Sequence, residues 1–294
     1  MKEIKKGSAR AWLLAARPKT LSAAAVPVLA GWSLAYADGG FDIVPALLCL
    51  LFALLMQVAA NFMNDYADFV SGGDTPDRLG PPRACAEGWI SEKAMLRGIF
   101  LTVAAACAAG FWLLFYGGWQ MIFVGLGCVV FATLYSPLAR VGMGDLLVLL
   151  FFGLAAVGFT YYVMCNRLTA EVLAAAAGCG IAIDTLLTVN NIRDREQDAS
   201  TGKRTLVVRL GPKGGRLLYL SLGIVATAAA VTVGAMLRKP APLCLLPLIY
   251  AAAHSFAFVR LGQIGAGRGL NKVLGLTSLN IIVYGAVLVT VIIA

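Results

Sequence analysis

Nine apolar windows, each close to the length of a helix that crosses a bilayer, constrain this chain more than any other feature. They fall at about 20–37, 43–64, 94–116, 118–135, 144–164, 170–190, 217–237, 241–259 and 273–293, separated by charges or by Gly and Pro clusters. A membrane core is spanned by roughly 20 mostly apolar residues in helical form. The composition agrees: 60% of the 294 residues are hydrophobic and 13% charged, against roughly 45–50% and about 25% in ordinary soluble domains. A soluble globule has no means of hiding that much apolar surface, so a soluble enzyme, a disordered chain and a disulfide scaffold are all excluded. The expectation is an all-α polytopic membrane protein, a bundle of nine transmembrane helices forming a single domain over residues 1–294.

The net charge of +9 would suggest nucleic acid in a soluble chain. In a membrane chain its meaning lies in which loops carry it. Assigning the connections alternately to two sides leaves only Arg167, Arg238 and Lys239 opposite the N-terminal tail, with the other Lys and Arg residues on the tail's side. Basic residues stay on the cytoplasmic side. The N-terminus is therefore expected in the cytoplasm, the C-terminus outside, and no nucleic-acid partner is implied. The seven Cys residues form no C-x-x-C pair and mostly sit in apolar runs, where a small buried thiol is the ordinary role.

Two long connections on the basic side, Asn64 to Lys93 and Asn190 to Arg216, hold most of the acids and resemble each other. Asn64-Asp65-Tyr66-Ala67-Asp68 parallels Asn190-Asn191-Ile192-Arg193-Asp194, each at the end of an apolar helix. A further acid follows in each (Asp74; Asp198), then basic residues (Arg78 and Arg83; Lys203 and Arg204). On a helix, residues four apart differ by about 40° in direction and about 6 Å in height. Asn64 and Asp68 then share one face, and Asn190, Asp194 and Asp198 share another. Oxygen ligands without His or Cys suit a hard cation such as Mg2+, which takes one or two carboxylates and fills its other positions with water and phosphate. Asn64, Asp68, Asp74, Asn190, Asp194 and Asp198 are the candidate metal ligands. Facing ladders backed by Arg and Lys form a receptor for a diphosphate. Solvated loop charges would explain one such ladder, but not two that each begin with Asn inside an apolar helix, where an unpaired polar group is costly.

These segments, together with Arg17-Pro18-Lys19-Thr20-Leu21, Arg78-Leu79-Gly80-Pro81, Tyr135-Ser136-Pro137-Leu138-Ala139, Gly142-Met143-Gly144-Asp145 and Gly202-Lys203-Arg204-Thr205-Leu206, resemble the aspartate-rich motifs of the UbiA superfamily of intramembrane aromatic prenyltransferases. The likeness covers nearly the whole chain and is greatest to the branch that prenylates 1,4-dihydroxy-2-naphthoate on the way to menaquinone. It implies a nine-helix bundle in the bacterial inner membrane, two Mg2+ ions, a polyprenyl diphosphate donor, an aromatic acceptor that loses CO2 on prenylation, and the lipid bilayer as surroundings. Asp145 stands where the family pattern has Glu, and the segment around Tyr135 is short for the family.

On this basis Asp68, Asp194 and Asp198 are the expected catalytic acids, and Arg78, Arg83, Lys203 and Arg204 are expected to complete the diphosphate clamp. Arg17, Lys19 and Arg140 are candidates to orient the acceptor carboxylate. Phe62, Tyr66, Phe69 and Tyr135 lie near the motifs and offer ring faces to an allylic cation; Tyr135 is preferred because it lies in the family-like segment. His254, the only His, has no acidic neighbour in sequence and is expected to be packed. Asp184 at mid-span costs roughly 2.5–3.5 kcal/mol on insertion scales and should face the bundle interior, near the metal ladder or the acceptor. Competing acceptors are 4-hydroxybenzoate, homogentisate and haem. A cation-coupled transporter is disfavoured because its site would sit near the midplane, whereas these ladders lie at the rim.

Overall fold

A computed structural model describes residues 4–72 and 78–294. Among the described residues there are nine helices long and apolar enough to cross a membrane and no strand. In chain order they are α1 (Ala9–Ala37), α2 (Ile43–Val70), α3 (Glu92–Gly117), α4 (Met121–Arg140), α5 (Gly144–Cys165), α6 (Ala170–Ser200), α7 (Leu206–Met236), α8 (Ala241–Ile264) and α9 (Leu270–Ile293). Neighbours in sequence pack as neighbours in space, and α9 returns to α1, so the bundle closes on itself. Large apolar side chains on its outer face, such as Phe100, Phe115 and Phe123, are exposed, as befits a surface solvated by lipid.

Several helices outrun their apolar windows. α2 continues to Val70, α6 to Ser200, and α7 begins at Leu206. Most of what composition marks as loop at 190–216 is therefore helix, and the stretch 64–70 extends α2, because the polar residues there find one another across the bundle. Side-chain caps set several of the starts: Ser8, Asp42, Ser91, Thr169 and Thr205 each accept a backbone N–H from the first turn they precede. α1 begins on the Ser8 cap and breaks at Arg17, which holds a left-handed φ of 51°. The break has a local cause, since Pro18 disfavours the right-handed helical conformation at the residue before it.

α6 is the hub. Val172, Ala175, Ala176, Cys179 and Ala182 are fully buried along it, and their small size admits close neighbours. α5 is one of them: a Cβ on Gly153 would lie 2.6 Å from the Ala176 carbonyl oxygen. Across that contact α5 winds as a wide π-helix from Leu149 to Phe159, a geometry that departs from regular helix and is often found beside functional sites. By contrast α4 buries little of its length inside the protein and forms an outer wall.

Candidate active site

The first motif occupies one stripe of α2. Gln57 donates to Thr20 Oγ1 at 3.3 Å, Asn61 to Thr20 Oγ1 and the Ala16 carbonyl at 2.9 Å each, and Asn64 Oδ1 accepts from Ser136 Oγ at 2.9 Å. Asp68, one turn further, pairs with Arg83 and lies 3.8 Å from Arg78 Nη1. Asp65 faces elsewhere and serves architecture. Its carboxylate accepts the backbone N–H groups of Ala84 and Cys85 at 2.8 and 2.9 Å, which folds the segment after α2 back so that Arg83 reaches Asp68.

The second motif follows the same logic on α6. Asp194, Gln197, Asp198 and Thr201 recur at i, i+3, i+4 and i+7, the spacing of a single helical face. Arg193 holds Asp194 through two nitrogens at 2.8 and 2.6 Å and donates to Asn271 Oδ1 at 2.8 Å; Asn271 donates in turn to the Leu79 carbonyl at 2.9 Å. This chain of contacts ties α6, α9 and the segment after α2 together. Lys203 Nζ lies 3.0 Å from Asp198 Oδ1. Asn190 donates to the Leu186 carbonyl of its own helix.

The two motifs meet in one polar cavity of about 550 Å³, lined by Asp68, Asp194, Asp198, Arg78, Arg83, Arg140 and Lys203, together with Gln197 and Thr201. Arg17 is within electrostatic range of Asp68 but does not line the cavity. Lys19 and Arg204 are exposed and lie off its wall; the contact of Arg204 is made by its backbone, to the Arg140 carbonyl. Asn64 and Asn190 stand a turn deeper than the lining carboxylates. Asp74 lies outside the described residues.

Three carboxylates from two facing helices, with amide oxygens beneath and no His or Cys among the lining residues, are a donor set for a hard divalent ion. Each carboxylate is meanwhile matched by a cation, Arg83, Arg193 or Lys203. Among the described residues no three His, Cys, Asp or Glu side chains converge tightly enough to hold a metal by themselves. That suits Mg2+, which leaves much of its coordination sphere to water and phosphate.

Below the cavity an apolar chamber of about 1120 Å³ runs between α1, α2, α3, α4 and α5, walled by residues such as Phe52, Met56, Phe131, Phe151 and Phe159. Tyr135 and Gln57 supply polar edges, and both belong to the end nearest the first motif: Gln57 lies on the Asn64 stripe, and Ser136, next to Tyr135, holds Asn64. The other aromatics near the motifs have structural roles. Phe62 packs edge-on against Trp12 with centroids 5.3 Å apart, Tyr66 reaches Glu92 at 3.4 Å, and Phe69 is exposed. His254 is buried, stacked on Tyr219 and bonded to the Tyr219 carbonyl at 3.0 Å. Asp184 is buried, as its mid-span position demands.

Sequence spacing alone would have found Gln197 and Thr201, which share the Asp194 face. Ser136, Arg193 and Asn271 carry no such local signal.

The comparisons with known proteins bear on the family and the fold. The model of the UbiA prenyltransferase family matches residues 24–268. The 1,4-dihydroxy-2-naphthoate octaprenyltransferase of Haemophilus influenzae is 40% identical, covering 73% of this chain and 74% of its own. The protein of the same description from Mycobacterium tuberculosis is 35% identical and covers 93% of both chains. Among solved structures, a UbiA homolog from Archaeoglobus fulgidus bound to GPP and Mg2+ superposes with a TM-score of 0.64 at 15% identity, covering 95% of this chain and 99% of that one; at that identity the likeness is one of fold.

Proposed function

The chain belongs to the UbiA prenyltransferase family, and on that premise we propose that it transfers a polyprenyl group from a polyprenyl diphosphate to 1,4-dihydroxy-2-naphthoate, releasing CO2 and diphosphate, in the bacterial inner membrane. One observation carries this reading: a polar cavity lined by three carboxylates and four cations stands over an apolar chamber about twice its volume. An amphiphile with an anionic head and a long hydrocarbon tail matches both. The basic residues on the side of the N-terminal tail support a cytoplasmic position for this cavity.

Asp68, Asp194 and Asp198 would hold Mg2+, with Asn64 and Asn190 beneath them. When bound, the metal neutralises diphosphate charge and eases departure of the leaving group. Arg78, Arg83 and Lys203 would meet the remaining diphosphate oxygens through charge-assisted hydrogen bonds. To do so they exchange their present carboxylate partners for substrate, and the carboxylates exchange cations for metal. Tyr135 and the aromatic chamber wall shield the allylic carbon from water and present ring faces to its developing charge. Arg140, which lines the cavity and donates to Ser71 Oγ at 3.3 Å, would orient the acceptor carboxylate, with Arg17, within electrostatic range of Asp68, as a second candidate.

The test is purified protein in detergent with Mg2+, a labelled long-chain prenyl diphosphate and a panel of aromatic acceptors. Prenylated product with 1,4-dihydroxy-2-naphthoate is expected. Product with 4-hydroxybenzoate and none with the naphthoate would move the protein to another branch of the family.

A further inference from the structure

Three buried polar atoms without a hydrogen-bond partner gather where α5 begins and α6 passes it: Asp145 Oδ1, Asp184 Oδ1 and Thr188 Oγ1. Asp184 is 3% exposed and Thr188 not at all. The helix contacts bring them together. A Cβ on Gly144 would meet Leu187 at 3.3 Å, and one on Gly180 would meet Leu149 at 3.0 Å, so α5 and α6 run antiparallel with Asp145 beside Asp184. Thr188 is one turn from Asp184 on the same face. Tyr135, on the chamber wall, lies within electrostatic range of both carboxylates. Asp184 sits six residues before Asn190, about 9 Å deeper along the helix.

Buried polar groups in native proteins are almost always satisfied, and a fully buried hydroxyl beside two orphaned carboxylate oxygens marks a place for a ligand that brings its own donor. Resting on the function proposed above, we propose that Asp184, supported by Asp145 and Thr188, receives the acceptor hydroxyl ortho to the carboxylate and borrows its proton during transfer. As the carboxylate-bearing ring carbon attacks C1 of the prenyl chain, the C–C bond forms and the C1–O bond breaks, its electron pair leaving on the diphosphate. The ortho hydroxyl becomes a ketone and its proton passes to Asp184. Departure of CO2 leaves its bonding pair in the ring, and the resulting enolate oxygen takes the proton back. No net proton is released. A carboxylate sealed from water suits such a loan and would suit net proton release poorly.

The experiment measures steady-state prenylation by the full-length enzyme in detergent with Mg2+, alongside binding of labelled prenyl diphosphate. Asp184→Asn is expected to lower kcat by about 100-fold or more, the usual scale for a lost general base, with donor affinity unchanged. Asp184→Glu should recover most of the rate, and Thr188→Val should raise KM for the naphthoate more than it lowers kcat. The unmodified enzyme keeps the idea testable should Asp184→Asn fail to fold: an acceptor methylated on the ortho hydroxyl should compete with the naphthoate without being prenylated. Turnover of that analogue, a normal kcat in Asp184→Asn, or parallel loss of donor binding would overturn the proposal. Absence of naphthoate product from the wild-type enzyme is a different failure, and would sink the function on which the proposal rests.

Discussion

The polar cavity and the apolar chamber lie end to end yet are held in shape by different forces. The cavity is built from contacts of fixed partner and direction: Asp65 anchors the backbone at Ala84 and Cys85, Arg193 reaches across to Asn271, and Asn271 holds Leu79. The chamber is shaped by bulk, with aromatic and Met side chains on its walls and α4 as an outer face that buries little of itself in the protein. Directional contacts suit a head group whose every oxygen needs a partner. Walls of bulk suit a chain that is recognised by length and by exclusion of water. A change in the cavity should therefore abolish reaction, whereas a change in the chamber should alter which donor reacts.

The sharpest way to break this contrast is Asp194→Ala. It removes a cavity carboxylate and leaves the chamber intact, so kcat/KM should fall by about 1000-fold, the upper range for losing one preorganised electrostatic group, for short and long donors alike. Equal loss for all chain lengths is the diagnostic result, read from product formation with a series of prenyl diphosphates. Ala132→Trp adds bulk to the chamber wall and should act by length: turnover of a long-chain donor drops about 10-fold, the scale of a misfitted apolar pocket, while geranyl diphosphate reacts as before. The smallest effect belongs to residues near the motifs in sequence but outside the cavity. Lys19→Ala and Arg204→Ala should change kcat/KM by less than about twofold, as exposed charges typically do; a large loss in either would extend the diphosphate clamp beyond the cavity wall.

What the sequence makes legible follows from what is local. Apolar windows show the nine spans, and the i, i+4 spacing shows the two carboxylate faces, because both depend on residues within a few turns. Helix ends are less legible: α2 and α6 carry polar residues past their apolar windows, and composition reads those turns as loop although tertiary partners keep them helical. The cavity's framework is hidden for a related reason. Asn64 is positioned by Ser136 and Leu79 by Asn271, pairs far apart in the chain that leave no periodic trace. The aromatics divide similarly: Phe62, Tyr66, Phe69 and Tyr135 look equivalent beside the motifs, and only packing separates the one on the chamber wall from the three engaged elsewhere or exposed. Spacing places Thr188 on the face of Asp184, but the missing partners of Asp145 and Thr188 leave no mark in the sequence.

The central claim is that divalent metal, held by carboxylates from both motifs, captures the diphosphate. Equilibrium binding of a labelled prenyl diphosphate to purified protein, with Mg2+ and then with excess EDTA, tests it most directly. Saturable binding that requires Mg2+ and is lost in both Asp68→Ala and Asp194→Ala is the predicted result. Binding of equal affinity in EDTA, or retained in either variant, would contradict it.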